Sequence, residues 1–241
     1  MDKTSHDIEK QVKEFHWWFS GRRKLLKSIL SPLCLPPDPF ALDIGCGTGS
    51  NLKLLQTEGF NVVGLDISLY ALHLAKMHTH LLVNGDVNML PIRPESLGLI
   101  IAMDIFEHLE DDRNGIHECF HALRSGGILI LTVPAFRYLR GSQDLVTQHK
   151  RRYTKKEILD LLTLGGFEVL KSSYFNFFLF FPILFARRTT QLLGLKISSE
   201  NEINSPLVNF FLKGIFSLEP YILKHFSFPF GVSILCIARK K

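Results

Sequence analysis

Three glycines and three carboxylates are spaced so that they could hold a small ligand against the main chain. Gly45, Gly47 and Gly49 occupy alternate positions in L-D-I-G-C-G-T-G-S-N-L, directly after Asp43. Glycine there permits backbone conformations closed to residues with a Cβ, and lets a ligand lie on the backbone itself. A helix beginning behind the turn would aim free N–H groups at that ligand. Asp43 would repel a pyrophosphate but welcome an ammonium group. Asp66 stands seventeen residues past Gly49 at the end of a second apolar run, placed to accept hydrogen bonds from a ribose diol. Asp86, in N-G-D-V-N, follows a third run, where its carboxylate could accept a proton from an amino-purine. Together these groups describe a nucleoside carrying an amino acid. The dinucleotide fingerprint G-x-G-x-x-G would need glycine at Ser50, so a nicotinamide-dependent oxidoreductase is disfavoured.

Strand tips and helix starts must carry these groups. Residues 40–43, 61–65, 81–83, 97–103 and 128–133 read as apolar strands, the fourth continuous as expected of a parallel strand buried on both faces. Helical spacing begins at Leu52, at Leu72 behind a Ser68 cap, and at Ile116, Cys119 and Leu123, where Gly126 and Gly127 are expected to stop the helix. Thr154 and Glu157 predict a capping box before Ile158. Residues 167–170 begin a sixth strand and residues 232–238 form a seventh. The alternation implies an α/β fold with a doubly wound, mostly parallel seven-stranded sheet, whose ligand sits over the carboxyl ends of the strands. Residues 8–30 read as a helix, with prolines 32, 36, 37 and 39 as a stiff linker.

The ordered set L-D-I-G-C-G-T-G, V-V-G-L-D-I-S, N-G-D-V-N-M-L-P and M-D-I-F-E-H-L resembles the class I S-adenosylmethionine (SAM) dependent methyltransferases over residues 17–135. That resemblance implies a Rossmann-like fold and SAM as cofactor, leaving S-adenosylhomocysteine. It implies cofactor contacts at Asp43, Gly45, Cys46, Gly47, Gly49, Asp66, Ile67, Asp86, Val87 and Met103. The opening H-W-W-F-S-G-R-R is similar to that of some small-molecule and lipid-pathway methyltransferases, in which an arginine, here Arg22, can meet the methionyl carboxylate. The other reading of that segment is an amphipathic helix packed on the sheet edge.

Methyl transfer from a sulfonium chiefly requires the acceptor to be held in line and water excluded, and a hydroxyl acceptor also needs a base. His108 in F-E-H-L and His149 in Q-H-K-R-R-Y-T are the candidates. His149 is preferred on the acceptor side, and His108 has a structural or cofactor-side alternative. Residues 104–107 lack the Asn/Asp-Pro-Pro-aromatic signature that often marks methylation of planar amino nitrogens. A small or lipid-linked acceptor fits better. Arg137, Arg140, Lys150, Arg151, Arg152, Lys155 and Lys156 crowd a stretch in which Asp144 is the only acid, so an anionic acceptor is expected at Arg151, Arg152 and Tyr153. Similarity to methyltransferases with this opening and loop points to polysaccharide or lipid-carrier modification. The rival reading is a non-catalytic SAM-fold scaffold.

The 241 residues, 46% of them hydrophobic, suit one α/β core with elaborations, and the net charge of +5 is modest. One short basic cluster without interleaved aromatics gives little nucleic-acid footprint. The four cysteines show neither paired nor metal-ligand spacing, so no disulfide or metal is expected, and the charged start lacks a signal-peptide core. A cytoplasmic protein, able to touch the inner face of the membrane, is expected. The expected division is a helical cover and linker (1–39), a SAM-binding core (40–174), a hydrophobic helical insertion (175–230) and a final strand (231–241). The insertion holds 12 of 20 phenylalanines, and its ten-residue apolar run 177–186 is far short of the roughly 20 residues of a spanning helix. It could be a lid over an acceptor pocket, an in-plane membrane helix or a dimer surface.

Overall fold

The computed structural model describes residues 12–33, 40–193 and 205–241. Cys34, the prolines at 36, 37 and 39, and the charged start at 1–11 lie outside them. The element order is α1 (Trp17–Leu30), β1 (Phe40–Ile44), α2 (Leu52–Thr57), β2 (Asn61–Asp66), α3 (Leu69–Ala75), β3 (Leu82–Asn84), β4 (Leu97–Met103), α4 (Asp112–Ala122), β5 (Leu123–Pro134), α5 (Ser142–Val146), α6 (Lys155–Leu164), β6 (Phe167–Phe175), α7 (Phe180–Leu192), α8 (Pro206–Leu223) and β7 (Ser233–Lys240).

One seven-stranded sheet has the order β3-β2-β1-β4-β5-β7-β6. Strands β1 to β5 pair in parallel, and all seven residues of β4 are buried, as its uninterrupted apolar run requires. β7 runs antiparallel to both neighbours, so the Rossmann-like sheet is mixed at that edge. The register pairs Ile44 with both Leu65 and Ala102. The glycine turn, Asp66 and Met103 therefore emerge at one level on the carboxyl edge. Because β6 and β5 both oppose β7, β6 also ends on that edge, and Phe175 faces Ser233 across it. The phenylalanine-rich insertion thus leaves and returns directly beside the strand tips.

Local signals explain most boundaries. Ser68 Oγ accepts from the Ala71 N–H, and Thr154 and Glu157 form the reciprocal capping box. Gly126 and Gly127 do not stop α4: the helix ends at Ala122 and β5 starts at Leu123. The register jumps from Leu97–Leu123 to Leu99–Ile128, so the glycines sit in a bulge that takes up the extra residues, with Gly126 at φ 77°. The expected helix 8–30 is broken among the described residues: Val12 is helical, residues 13–15 turn, and α1 begins at Trp17 because His16 is extended and its ring accepts from the Trp18 N–H. In α1, a Cβ at Gly21 would lie 2.2 Å from Phe216 Cδ1, so this glycine lets α1 and α8 approach. Trp18 and Phe175 stack against Phe216 at centroid distances of 5.6 and 6.1 Å. The tryptophan pair is thereby absorbed into a helix interface.

Among the described residues, no helix is long and apolar enough to cross a membrane. Of the rings opening the insertion, Phe180 is buried and Phe177 half-buried, whereas Phe178 and Phe181 are exposed.

Candidate active site

The glycine turn is built as its spacing requires. Gly45, Gly47 and Gly49 have φ values of 65°, 53° and 84°, a region that side-chain-bearing residues rarely enter. Asp66 latches the turn: Oδ2 accepts from the Gly47 N–H at 2.9 Å, and Oδ1 from the Ser68 N–H at 2.8 Å. A carboxylate offers about four lone-pair sites, so two remain for further donors. Asp43 is buried at the end of β1, with the Asn51 amide 3.5 Å away. Cys46 is buried beneath the turn. Asp86 is exposed and its Oδ1 accepts from the Asn88 N–H, while Val87 beside it is buried. Ile67, next to Asp66, is 72% exposed despite being apolar. Met103 is buried at the tip of β4. A Cβ on Gly45 would meet Ile105 Cδ1 at 2.0 Å, which brings the segment after β4 against the turn.

Arg22 reaches this edge from α1, where its guanidinium pairs with Asp104 at 3.1 Å. Asp104 has φ 60° and also accepts from the Thr132 hydroxyl at 3.0 Å, so it is fixed from two sides. Sequence reasoning passed over Asp104; its signal was its place directly after the continuous β4 run.

The second half of the site joins the β4 tip to the loop after β5. Glu107 is fully buried, and neither of its carboxyl oxygens has a hydrogen-bond partner. Burial, reinforced by Asp104, holds this carboxyl well above the usual carboxylate range. His149 brings Nε2 to 3.6 Å from Glu107 Oε1 and donates through Nδ1 to Asp144 at 2.9 Å. His108 lies edge-on to His149, ring centroids 4.8 Å apart, and burial followed by that neighbour lowers its pKa to about 4. The structure thus brings both candidate histidines together with a glutamate that the sequence reading did not select.

Asp144 is the anchor of the basic loop. It accepts from Arg152 Nε and Nη2 at 2.8 and 3.0 Å and from the Gly141 N–H at 2.7 Å. Burial would raise its pKa, but hydrogen bonds from His149 and Arg152 outweigh that and hold it well below the usual range. Arg152 is buried and also donates to the Ala135 carbonyl. Tyr153 is buried too, its hydroxyl donating to Asp112 and to the Phe106 carbonyl, so burial and then Asp112 raise its pKa far above the phenol range. Tyr153 thereby ties the loop to the segment after β4, whereas Arg152 ties Asp144 to the end of β5. Arg151 pairs with Asp112 at 2.8 Å, Lys150 with Glu110 and Arg137 with Glu157. A cavity of about 260 Å³ is lined by Arg137, Arg140, Asp144, His149, Lys150, Arg151 and Arg152.

Residues 42–131 match a family model described as a methyltransferase domain. The span covers the glycine turn, Asp66, Asp86 and the β4 tip. The chain is similar to a Mycolicibacterium smegmatis protein named "Probable S-adenosylmethionine-dependent methyltransferase", 28% identical over 66% of this chain and 62% of the relative. A ubiquinone biosynthesis O-methyltransferase of Serratia proteamaculans is 28% identical over 51% of this chain and 58% of its own length. The chain therefore spans less than two thirds of these relatives. In fold, the methyltransferase domain and its elaborations match the Haemonchus contortus phosphoethanolamine N-methyltransferase 2 solved with S-adenosyl-L-methionine. That match has a TM-score of 0.59 at 18% identity, covering 90% of this chain and 52% of the other.

Proposed function

We propose that this chain transfers the methyl group of SAM to a hydroxyl of a small or lipid-linked acceptor bearing negative charge. The observation that carries the proposal is the basic cavity at the strand tips, with His149 on its wall and the glycine turn on the same sheet edge. Bound SAM supplies an electrophilic methyl group on a sulfonium. The residues present suit it: the two spare acceptor sites on Asp66 fit the ribose diol, exposed Ile67 offers an apolar face to a purine, and Asp86 can accept from its amino group. Gly45, Cys46, Gly47 and Gly49 would line the methionyl moiety, with Asp43 to receive its ammonium and Val87 and Met103 to serve as apolar walls. Arg22 is placed to exchange Asp104 for the methionyl carboxylate.

On the acceptor side, Arg137, Arg140, Lys150 and Arg151 would receive the negative charge. The pairs Lys150–Glu110 and Arg137–Glu157 are exposed and screened by water, so a phosphate can displace those carboxylates. Arg152 and Tyr153 act by holding the loop in place. The cluster of Glu107, His108 and His149 is where an acceptor proton would be handled. A lipid-linked acceptor is favoured by α8, whose residues Leu207, Phe210, Phe211, Leu218 and Tyr221 recur on one exposed face. Arg187, Arg188, Lys213 and Lys224 accompany the insertion, and Glu219, its only acid among the described residues, is buried.

Calorimetry with SAM, S-adenosylhomocysteine and NAD tests the cofactor, followed by a search for a mass increase of about 14 on phosphorylated lipid-carrier extracts. Binding of SAM with no methylated product from any extract would favour the scaffold reading. Binding of NAD alone would end the methyltransferase reading.

A further inference from the structure

We propose that Glu107, His108 and His149 form a binding site for one divalent transition-metal ion at the acceptor end of the transfer site. The proposal rests on the functional reading above and deepens it. One ligand atom from each residue lies within 4.8 Å of the other two. Glu107 is the observation that asks for an occupant: it is wholly buried, and both carboxyl oxygens lack a hydrogen-bond partner. Leaving one buried polar group unsatisfied costs about 1–3 kcal/mol, and native interiors rarely do so. A cation between Glu107 and the two rings would satisfy it.

The separation of His149 from Glu107 suits coordination better than a hydrogen bond. His149 Nε2 to Glu107 Oε1 is 3.6 Å, too long for a hydrogen bond. Two ligands held tetrahedrally at about 2.1 Å from one ion stand roughly 3.4 Å apart. The surroundings supply the outer partners that metal-binding histidines use. Asp144 accepts from His149 Nδ1 and is itself pinned by Arg152 and the Gly141 N–H, which directs Nε2 towards Glu107. Two imidazoles and one carboxylate select zinc, iron(II), cobalt or nickel over calcium and magnesium. Three protein ligands leave a coordination position for water or an acceptor oxygen, and His149 also lines the basic cavity.

The tag-free chain, stripped with EDTA, is titrated with Co²⁺ and with Zn²⁺ by calorimetry while the visible spectrum of the Co²⁺ form is recorded. One ion per chain and a visible Co²⁺ band are expected, with affinity reduced at least tenfold in Glu107→Gln and in His149→Ala. Asp144→Asn, which acts through His149, should weaken binding about 10–100-fold. The double variant His117→Ala, His121→Ala removes an exposed histidine pair with Nε2 atoms 3.0 Å apart, and should bind like the parent. Absence of stoichiometric binding, or unchanged affinity in cooperatively melting Glu107→Gln, overturns the proposal. SAM binding by the stripped chain, measured in parallel, tells the two failures apart: SAM bound without any ion overturns this site alone, and neither bound overturns the transfer reading with it.

Discussion

The two halves of the carboxyl edge are built from different kinds of partner. On the β1–β2 side, Asp66 holds the glycine turn by accepting from main-chain N–H groups, those of Gly47 nineteen residues before it and Ser68 two residues after it. On the β4–β5 side, side chains meet side chains across long loops, as in Arg151–Asp112, Tyr153–Asp112 and His149–Glu107. Hydrogen bonds to backbone leave a signature in residue spacing. Pairing across loops leaves only a composition, and composition does not say which charges are already satisfied. The basic stretch 137–156 looks like an open anion trap in one dimension, yet in the fold Arg152 is buried on Asp144.

The sharpest way to break this comparison is to remove that buried charge. Arg152→Ala should destabilise the fold by roughly 3–5 kcal/mol, because Asp144 would be left buried without its guanidinium. Urea denaturation reads the loss, and the folded fraction should still bind SAM. A loss under about 1 kcal/mol would return Arg152 to the acceptor side.

A second long-range contact sits in the insertion, where Glu219 accepts from the Asn176 and Phe178 N–H groups at 2.5 and 3.2 Å. Burial pushes its carboxyl up to about 7, against those main-chain bonds. The folded state then binds a proton more tightly than the unfolded chain, whose carboxyl titrates near its ordinary value. Its contribution to stability is full below about pH 4.5 and is lost as pH rises towards 7, by about 3 kcal/mol in all. Between pH 4.5 and 8 the stability difference should therefore move by that amount in favour of Glu219→Gln. A difference that stays constant across this range would show that Glu219 is ionised throughout.

The cofactor half predicts a smaller loss, and one of affinity more than of fold. Asp66→Ala should weaken SAM binding by about 2–3 kcal/mol, the scale of charged hydrogen bonds to the ribose plus a loosened turn. Calorimetry on a cooperatively melting variant checks it, and an unchanged dissociation constant would reduce Asp66 to a latch for Gly47. Gly45→Val sharpens the point, since its branched side chain would strike Ile105 as well as adopt a strained φ.

Legibility followed the same division. The parallel core, the Ser68 and Thr154 caps and the level of Asp66 with the glycine turn could all be read, because strand periodicity and capping are local rules. The antiparallel β7 could not: an apolar strand has the same pattern in either direction. The bulge at Gly126 was misread as a helix stop, since glycine marks both. Tyr153 and Arg152 read as acceptor contacts, and composition could not show that the fold also pairs them with Asp112 and Asp144. Glu107 was invisible as a site residue because its significance is the absence of a partner, which only packing reveals. The tryptophan pair had two readings, and its rings now lie against Phe216 and Phe175.

The smallest effect on the fold should accompany the most specific effect on transfer. Arg137 and Lys150 border the basic cavity, and their carboxylate partners Glu157 and Glu110 are 43% and 84% exposed. Water screens such pairs, so Arg137→Ala with Lys150→Ala should cost about 1 kcal/mol of stability or less. SAM affinity should be unchanged, because neither side chain reaches the glycine turn. If the cavity receives the acceptor's negative charge, kcat/KM for that acceptor should fall about tenfold or more, and the fall should shrink at high salt, where the lost attraction is already screened. Equal losses in SAM affinity and in acceptor turnover would place the cavity on the cofactor side and erase the division between the two halves. An acceptor kcat/KM that does not change would leave the cavity without a part in transfer, and the charge on the acceptor would have to be met elsewhere on the edge.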